Sequence, residues 1–200
     1  MDEWITIVIR QLFIYLLPVM VSFSIVQIAE CLWWHKQPPN PLFAISWRTA
    51  WLPLLTGIAF HRATIFALPQ PVTKGVEAAT VRTASHLLLT AAGFALYTAS
   101  LHWQPPTGLP PLHHWWCKTF MFFNLCMVAI HLLPLPSLLM GEWLLSRDHQ
   151  LISWLQEKFM RAPNWWICLL AASPLLDLTI GAWIVYSPYE QLSTWAFALK

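Results

Sequence analysis

Phe122-Phe123-Asn124-Leu125-Cys126-Met127-Val128-Ala129-Ile130-His131-Leu132-Leu133-Pro134-Leu135-Pro136-Ser137-Leu138-Leu139-Met140-Gly141 is the stretch on which the fold turns. It is apolar enough for lipid, yet it carries two prolines two residues apart. Each proline removes a backbone donor and frees a carbonyl. Inside hydrocarbon no water meets such a group, so the break is tolerated only where protein or a polar cavity satisfies the backbone. The stretch therefore predicts a helix broken at Pro134 and Pro136 and resumed near Gly141. A simple packing kink is the bland alternative.

The rest of the composition agrees with a lipid environment. Of 200 residues, 58% are apolar and 10% charged, and mean hydropathy is +0.54. A soluble domain carries about 25% charge, and so few ionic groups cannot cover a water-facing surface at this size. The net charge of +2 without a Lys/Arg run excludes a nucleic-acid partner. The 14 Trp include the pairs Trp33-Trp34, Trp115-Trp116 and Trp165-Trp166 at the ends of apolar runs, where they read as interfacial collars. Cys31, Cys117, Cys126 and Cys168 occur singly and read as buried thiols packing as small hydrophobes.

Apolar runs cover Trp4 to Trp34, Trp51 to Leu68, Ala78 to Trp103, Trp115 to Leu145 and Trp165 to Tyr186. Spans need about 20 residues, so the expected fold is an all-α integral membrane protein of about five transmembrane helices. All of 1–200 forms a single transmembrane domain in this reading. Pro38-Pro39-Asn40-Pro41 ends the first run, and His61-Arg62 interrupts the second, which reads as a short or re-entrant span. Pro105-Pro106 and Pro110-Pro111 lead into His113-His114, read as interfacial. Segment 146–162 places Leu151, Trp154, Leu155 and Phe159 on one helical face and is expected to lie along the membrane surface. Segment 163–187 is expected to add one more helix. Arg147, Lys158 and Arg161 favour a cytoplasmic position for the loop before residue 162. The N-terminus Met1-Asp2-Glu3-Trp4 lacks the basic start of a signal peptide. The first run is thus expected to be a retained helix that serves as its own insertion signal, and the expected location is a bacterial inner membrane.

The Pro-x-Pro stretch resembles the third core helix of the site-2 proteases, intramembrane zinc metalloproteases whose pattern there is Phe-Asn-Leu-Leu-Pro-Ile-Pro-Pro-Leu-Asp-Gly. Further likenesses follow in order. Asn40-Pro41-Leu42-Phe43 followed by Trp51-Leu52-Pro53-Leu54-Leu55 is similar to the family's Asn-Pro-Leu stretch and the helix after it. Ala67-Leu68-Pro69-Gln70-Pro71-Val72 resembles Ala-Lys-Pro-Val-Pro-Val. Thr83-Ala84-Ser85-His86-Leu87-Leu88-Leu89 sits where the family has Ala-Gly-Pro-x-Ala-Asn. The resemblance covers roughly residues 15–145 and implies a three-helix core.

The same resemblance implies that catalysis is lost. The family holds zinc with the two His of His-Glu-x-x-His and the Asp of Leu-Asp-Gly, and the Glu activates the bound water. No His-Glu-x-x-His occurs here. The matching helix falls near Val26-Gln27-Ile28-Ala29-Glu30, and the Asp position reads Leu139. The implied protein is a non-catalytic, pseudoprotease-like subunit or adaptor that binds other membrane proteins and lipid in a hetero-oligomeric complex, with no cofactor expected.

Two alternatives stay open. The family's paired Asn positions read His86 and His131, which the resemblance directs toward the old catalytic cavity, with His61-Arg62 approaching from the second run. His61, His86 and His131, with Asp177 or Glu142, are the candidate ligands of an unconventional zinc metalloprotease. His86 and His131 alone are the candidate pair for a haem or other redox metal. The bland reading makes them hydrogen-bond partners that hold broken helices together. Glu30, Arg62, Glu142 and Asp177 are the intramembrane polar residues; each acid needs a partner, with Arg10, Arg62 or a His as candidates.

Overall fold

The computed structural model describes residues 2–37, 45–68, 70–103, 107–147, 150–161 and 164–200. The described residues are helical and irregular, with no strand among them. The Asn40-Pro41-Leu42-Phe43 likeness, Pro69, Pro105-Pro106 and the side chains of Leu151, Leu155 and Phe159 lie outside the described residues.

Helix α1 runs from Asp2 to Trp33, passing Pro18 without a break. The Trp116 indole N–H donates to the Phe13 carbonyl of α1 at 3.0 Å. After a wide π-helical turn, Trp47–Trp51, helix α2 covers Leu52–Ala59. Helix α3 spans Val76–Leu101 and α4 spans Leu112–Ile130. Short helices α5 (Leu139–Leu145), α6 (Gln150–Arg161) and α7 (Asn164–Ala172) follow. The chain ends in a π-helix, Asp177–Val185, continuous with α8, Tyr186–Ala198.

Helix α4 lies against both α1 and α3, and these three form the central packed unit. The closeness of α3 and α4 depends on Gly93. A Cβ there would sit 2.8 Å from the Met121 Cα and amide N, so only a bare glycine admits the α4 backbone. The largest buried cluster joins Val19 and Phe23 of α1, Leu54 and Ile58 of α2, Phe123, Met127 and Ile130 of α4, and Ile167 and Ala171 of α7.

Among the described residues, the expected five spans reduce to two or three. Glu3–Trp33 and Val76–Leu101 are each long and apolar enough to cross a membrane; a third span exists if Trp165–Ala172 and Asp177–Ala198, bent by 58° at their junction, count as one. The reasons lie in the sequence. Helix α2 has 8 residues, about 12 Å of rise, far short of a bilayer core. It stops at the His61-Arg62 pair, where His61 takes φ +53. Helix α4 opens on His113, His114 and Lys118 and carries Asn124, which dilute its apolarity; it is sheltered by its neighbours instead. The last run breaks at Ser173-Pro174 and then continues past Tyr186, through Ser187-Pro188-Tyr189-Glu190, to Ala198.

The Pro-x-Pro break is present. Helix α4 ends at Ile130, the residue four before Pro134, whose ring collides with that carbonyl in a helix. The chain turns through residues 131–138 and restarts as α5. Segment Gln150–Arg161 is helical as expected, with Trp154 exposed.

Candidate functional site: two buried polar networks at the helix break

The first network starts from an acid that α1 carries into the bundle. Glu30 and Arg82 are each 1% exposed, and their Oε1 and Nη1 lie 2.7 Å apart. The Glu30 carboxylate also accepts the Thr73 amide N–H at 2.8 Å and the Thr73 hydroxyl at 3.1 Å. From its two terminal nitrogens Arg82 also donates to backbone, Nη1 to Thr73 O at 3.1 Å and Nη2 to Ser137 O at 2.8 Å. Ser137 is held at φ +65, a left-handed conformation that a Ser adopts at a cost. Glu142 offsets it: Oε1 accepts the Ser137 N–H at 3.2 Å and Oε2 accepts the Gly75 N–H at 3.0 Å. Charge in a low-dielectric interior is tolerable only when paired and hydrogen-bonded; this cluster pairs the two charges at the point where the prolines strand the backbone, and leaves Glu30 Oε2 and Arg82 Nε buried without a hydrogen-bond partner.

The second network crosses the three central helices. Asn124 of α4 donates from Nδ2 to Ser22 Oγ of α1 and to Phe120 O, both at 2.8 Å. Ser22 in turn donates to Pro18 O at 2.7 Å. The amide orientation is thereby set, and Asn124 Oδ1 accepts from His86 Nδ1 of α3 at 2.8 Å. His86 is thus the tautomer whose Nε2 holds a lone pair. His131 lies beside it, ring centroids 5.9 Å apart and planes at 47°. Its Nδ1 accepts the Leu139 N–H at 3.3 Å, so its Nε2 carries the proton. Both Nε2 atoms are buried without a hydrogen-bond partner.

A third set of bonds ties the end of α2 to the broken last helix. Arg62 Nε donates to Ala172 O at 2.6 Å, a carbonyl at the very end of α7. Asp177 Oδ1 accepts the Thr64 N–H at 2.7 Å and the Tyr186 hydroxyl at 3.0 Å. Each break in one segment is capped by a side chain from the other.

The structure thus brings His86 and His131 together and leaves His61 apart, exposed at the end of α2. Among the described residues, no three His, Cys, Asp or Glu converge as a metal-holding group. The pair itself does not fit zinc. A neutral imidazole that coordinates through Nε2 must carry its proton on Nδ1, and at His131 that atom already accepts a backbone N–H.

The sequence reading missed Arg82. It sought partners for the acids in Arg10, Arg62 and the His residues, but Glu30 takes Arg82, Glu142 takes backbone N–H groups, and Asp177 takes Thr64 and Tyr186. Arg10 instead stands over the Trp115 ring at 5.9 Å. A signal existed: Arg82 precedes His86 by four residues, which puts both on one face of an apolar helix. His114, read as interfacial with His113, is buried, 3.0 Å from Ser100 Oγ. All four cysteines are free thiols, Cys31 and Cys126 buried.

No protein-family model matches the chain, no curated protein is detectably similar to it, and no solved structure resembles it at a significant level.

Proposed function

We propose that this chain is a non-catalytic membrane subunit or adaptor, with a pseudoprotease-like core of the site-2 type, that binds other membrane proteins in a larger complex. One observation carries the reading. Every buried acid at the helix break is committed to holding the fold: Glu30 to Arg82 and Thr73, Glu142 to the Ser137 and Gly75 amides. A general base must be within reach of a substrate proton and able to take it, whereas a carboxylate ion-paired at 2.7 Å and 1% exposed is not. The two imidazoles belong to the same pattern, since His86 ties α3 to α4 through Asn124 and His131 anchors α5. These bonds act as fasteners between helices.

The partner-binding side of the proposal rests on shape and surface. The broken last helix presents Leu175, Leu178 and Trp183 outward, with Trp183 84% exposed, and little of the chain lies outside the helices. In this reading the membrane is the inner membrane of a bacterium, and the partners are apolar helices rather than soluble proteins. The test is purification of the full chain from its native membrane in mild detergent. Stoichiometric recovery with defined membrane partners supports the proposal, and recovery as a stable isolated monomer counts against it.

A further inference from the structure

A cleft of about 460 Å³ opens between the first half of α1, the start of α4 and the start of α8. It shares only Tyr186, a donor to Asp177, with the bonds described above. Two charges of opposite sign line it, Lys118 and Glu190. Neither forms an ion pair among the described residues. The Lys118 ammonium is held instead against rings, 5.9 Å from the centroids of Tyr97 and of Tyr189. Trp115, one turn before Lys118, lines the same cleft. Ile14 and Phe122 supply an apolar floor, and Tyr15 and Tyr189 bring phenol groups into the same wall.

We propose that this cleft binds the headgroup of a zwitterionic phospholipid, the phosphate against Lys118 and the phenols, the ammonium against Glu190, with the acyl chains leaving over Ile14 and Phe122. The chemistry follows from the charges. Lys118 is half-buried without an anionic partner among the described residues and Glu190 stands exposed in the same lining, so a ligand that carries a phosphate and an ammonium on one short linker complements both. A purely anionic headgroup would satisfy Lys118 and be repelled by Glu190. A neutral lipid would satisfy neither. The cleft lies within the usual range of small-ligand sites, roughly 300–1,000 Å³, and is open on one side as an anchored lipid requires.

The experiment is native mass spectrometry of the full chain, purified in mild detergent and equilibrated with an equal mixture of phosphatidylethanolamine and phosphatidylglycerol. The expected result is retention of phosphatidylethanolamine in preference to phosphatidylglycerol. Lys118→Gln should lower that retention by about tenfold, the loss of one charge-assisted contact. Glu190→Gln, at an exposed side chain that leaves folding intact, should erase the preference between the two lipids while keeping phosphate binding. The doubly reversed K118E/E190K chain should recover phosphatidylethanolamine. Equal retention of both lipids by the unaltered chain, a preference for phosphatidylglycerol, or variants indistinguishable from the unaltered chain would each overturn the proposal.

Discussion

Arg82 of α3 reaches across the bundle to Glu30 of α1 and closes a 2.7 Å ion pair with both side chains 1% exposed. Removal of either partner leaves an uncompensated charge in the core, which costs about 3–5 kcal/mol, whereas replacing both with apolar residues of similar volume costs far less. Arg82→Met alone should therefore lower the detergent melting temperature sharply. The double replacement Arg82→Met with Glu30→Met should recover most of it. Melting of the two singles and the double closes the cycle; additive losses would show that the pair is not coupled.

Asn124 joins three helices at once, so Asn124→Ala should cost about 1–3 kcal/mol by stranding the His86 Nδ1–H in an apolar interior. Ser22→Ala should cost less, because Asn124 Nδ2 keeps its bond to Phe120 O. Thermal melting of the two variants orders them. A larger loss for Ser22→Ala would place the weight of the network on α1 instead.

At Gly93 even one methyl group would meet the Met121 backbone at 2.8 Å. A helix backbone cannot yield as a side chain can, so Gly93→Ala should force α3 and α4 apart at a cost of about 1–3 kcal/mol. Expression level and melting temperature both report it. A neutral outcome would mean that the two helices do not approach as closely as described.

Helices α1 and α3 should cross the membrane in opposite directions. Trp33 Nε1 donates to Glu77 Oε1 at 3.0 Å and Lys36 Nζ to Val72 O at 3.4 Å, so the end of α1 meets the start of α3. Cysteines placed by Lys36→Cys and Lys74→Cys should label from one side of a sealed vesicle, and one placed by His102→Cys from the other. The four native thiols must first be replaced by Ser or Ala.

The sequence was legible where one residue type decides the outcome alone. Pro134 ends α4 four residues upstream because its ring excludes the Ile130 carbonyl, and that rule is local. The long runs behind α1 and α3 were equally plain. Reading stopped where the outcome depends on what lies opposite. An apolar run such as Trp51 to Leu68 looks like a span until Arg62 is found capping Ala172, 110 residues away. Segment 163–187 reads as one added helix, yet Asp177 turns toward Thr64 and the axis bends by 58°. His86 and His131 meet, ring centroids 5.9 Å apart, across 45 residues of sequence that periodicity does not join. Arg82, the residue that neutralises the core, was passed over because a single cation in an apolar run gives no hint of which acid it faces.

We propose that the buried polar groups fasten a membrane adaptor rather than perform chemistry. The most direct test is one sample: the chain drawn gently from its native membrane, with co-purifying proteins identified and metal content measured together. The account predicts defined membrane partners in stoichiometric amount and no metal above background. About one zinc or iron per chain, lost on His86→Ala or His131→Ala, would contradict it.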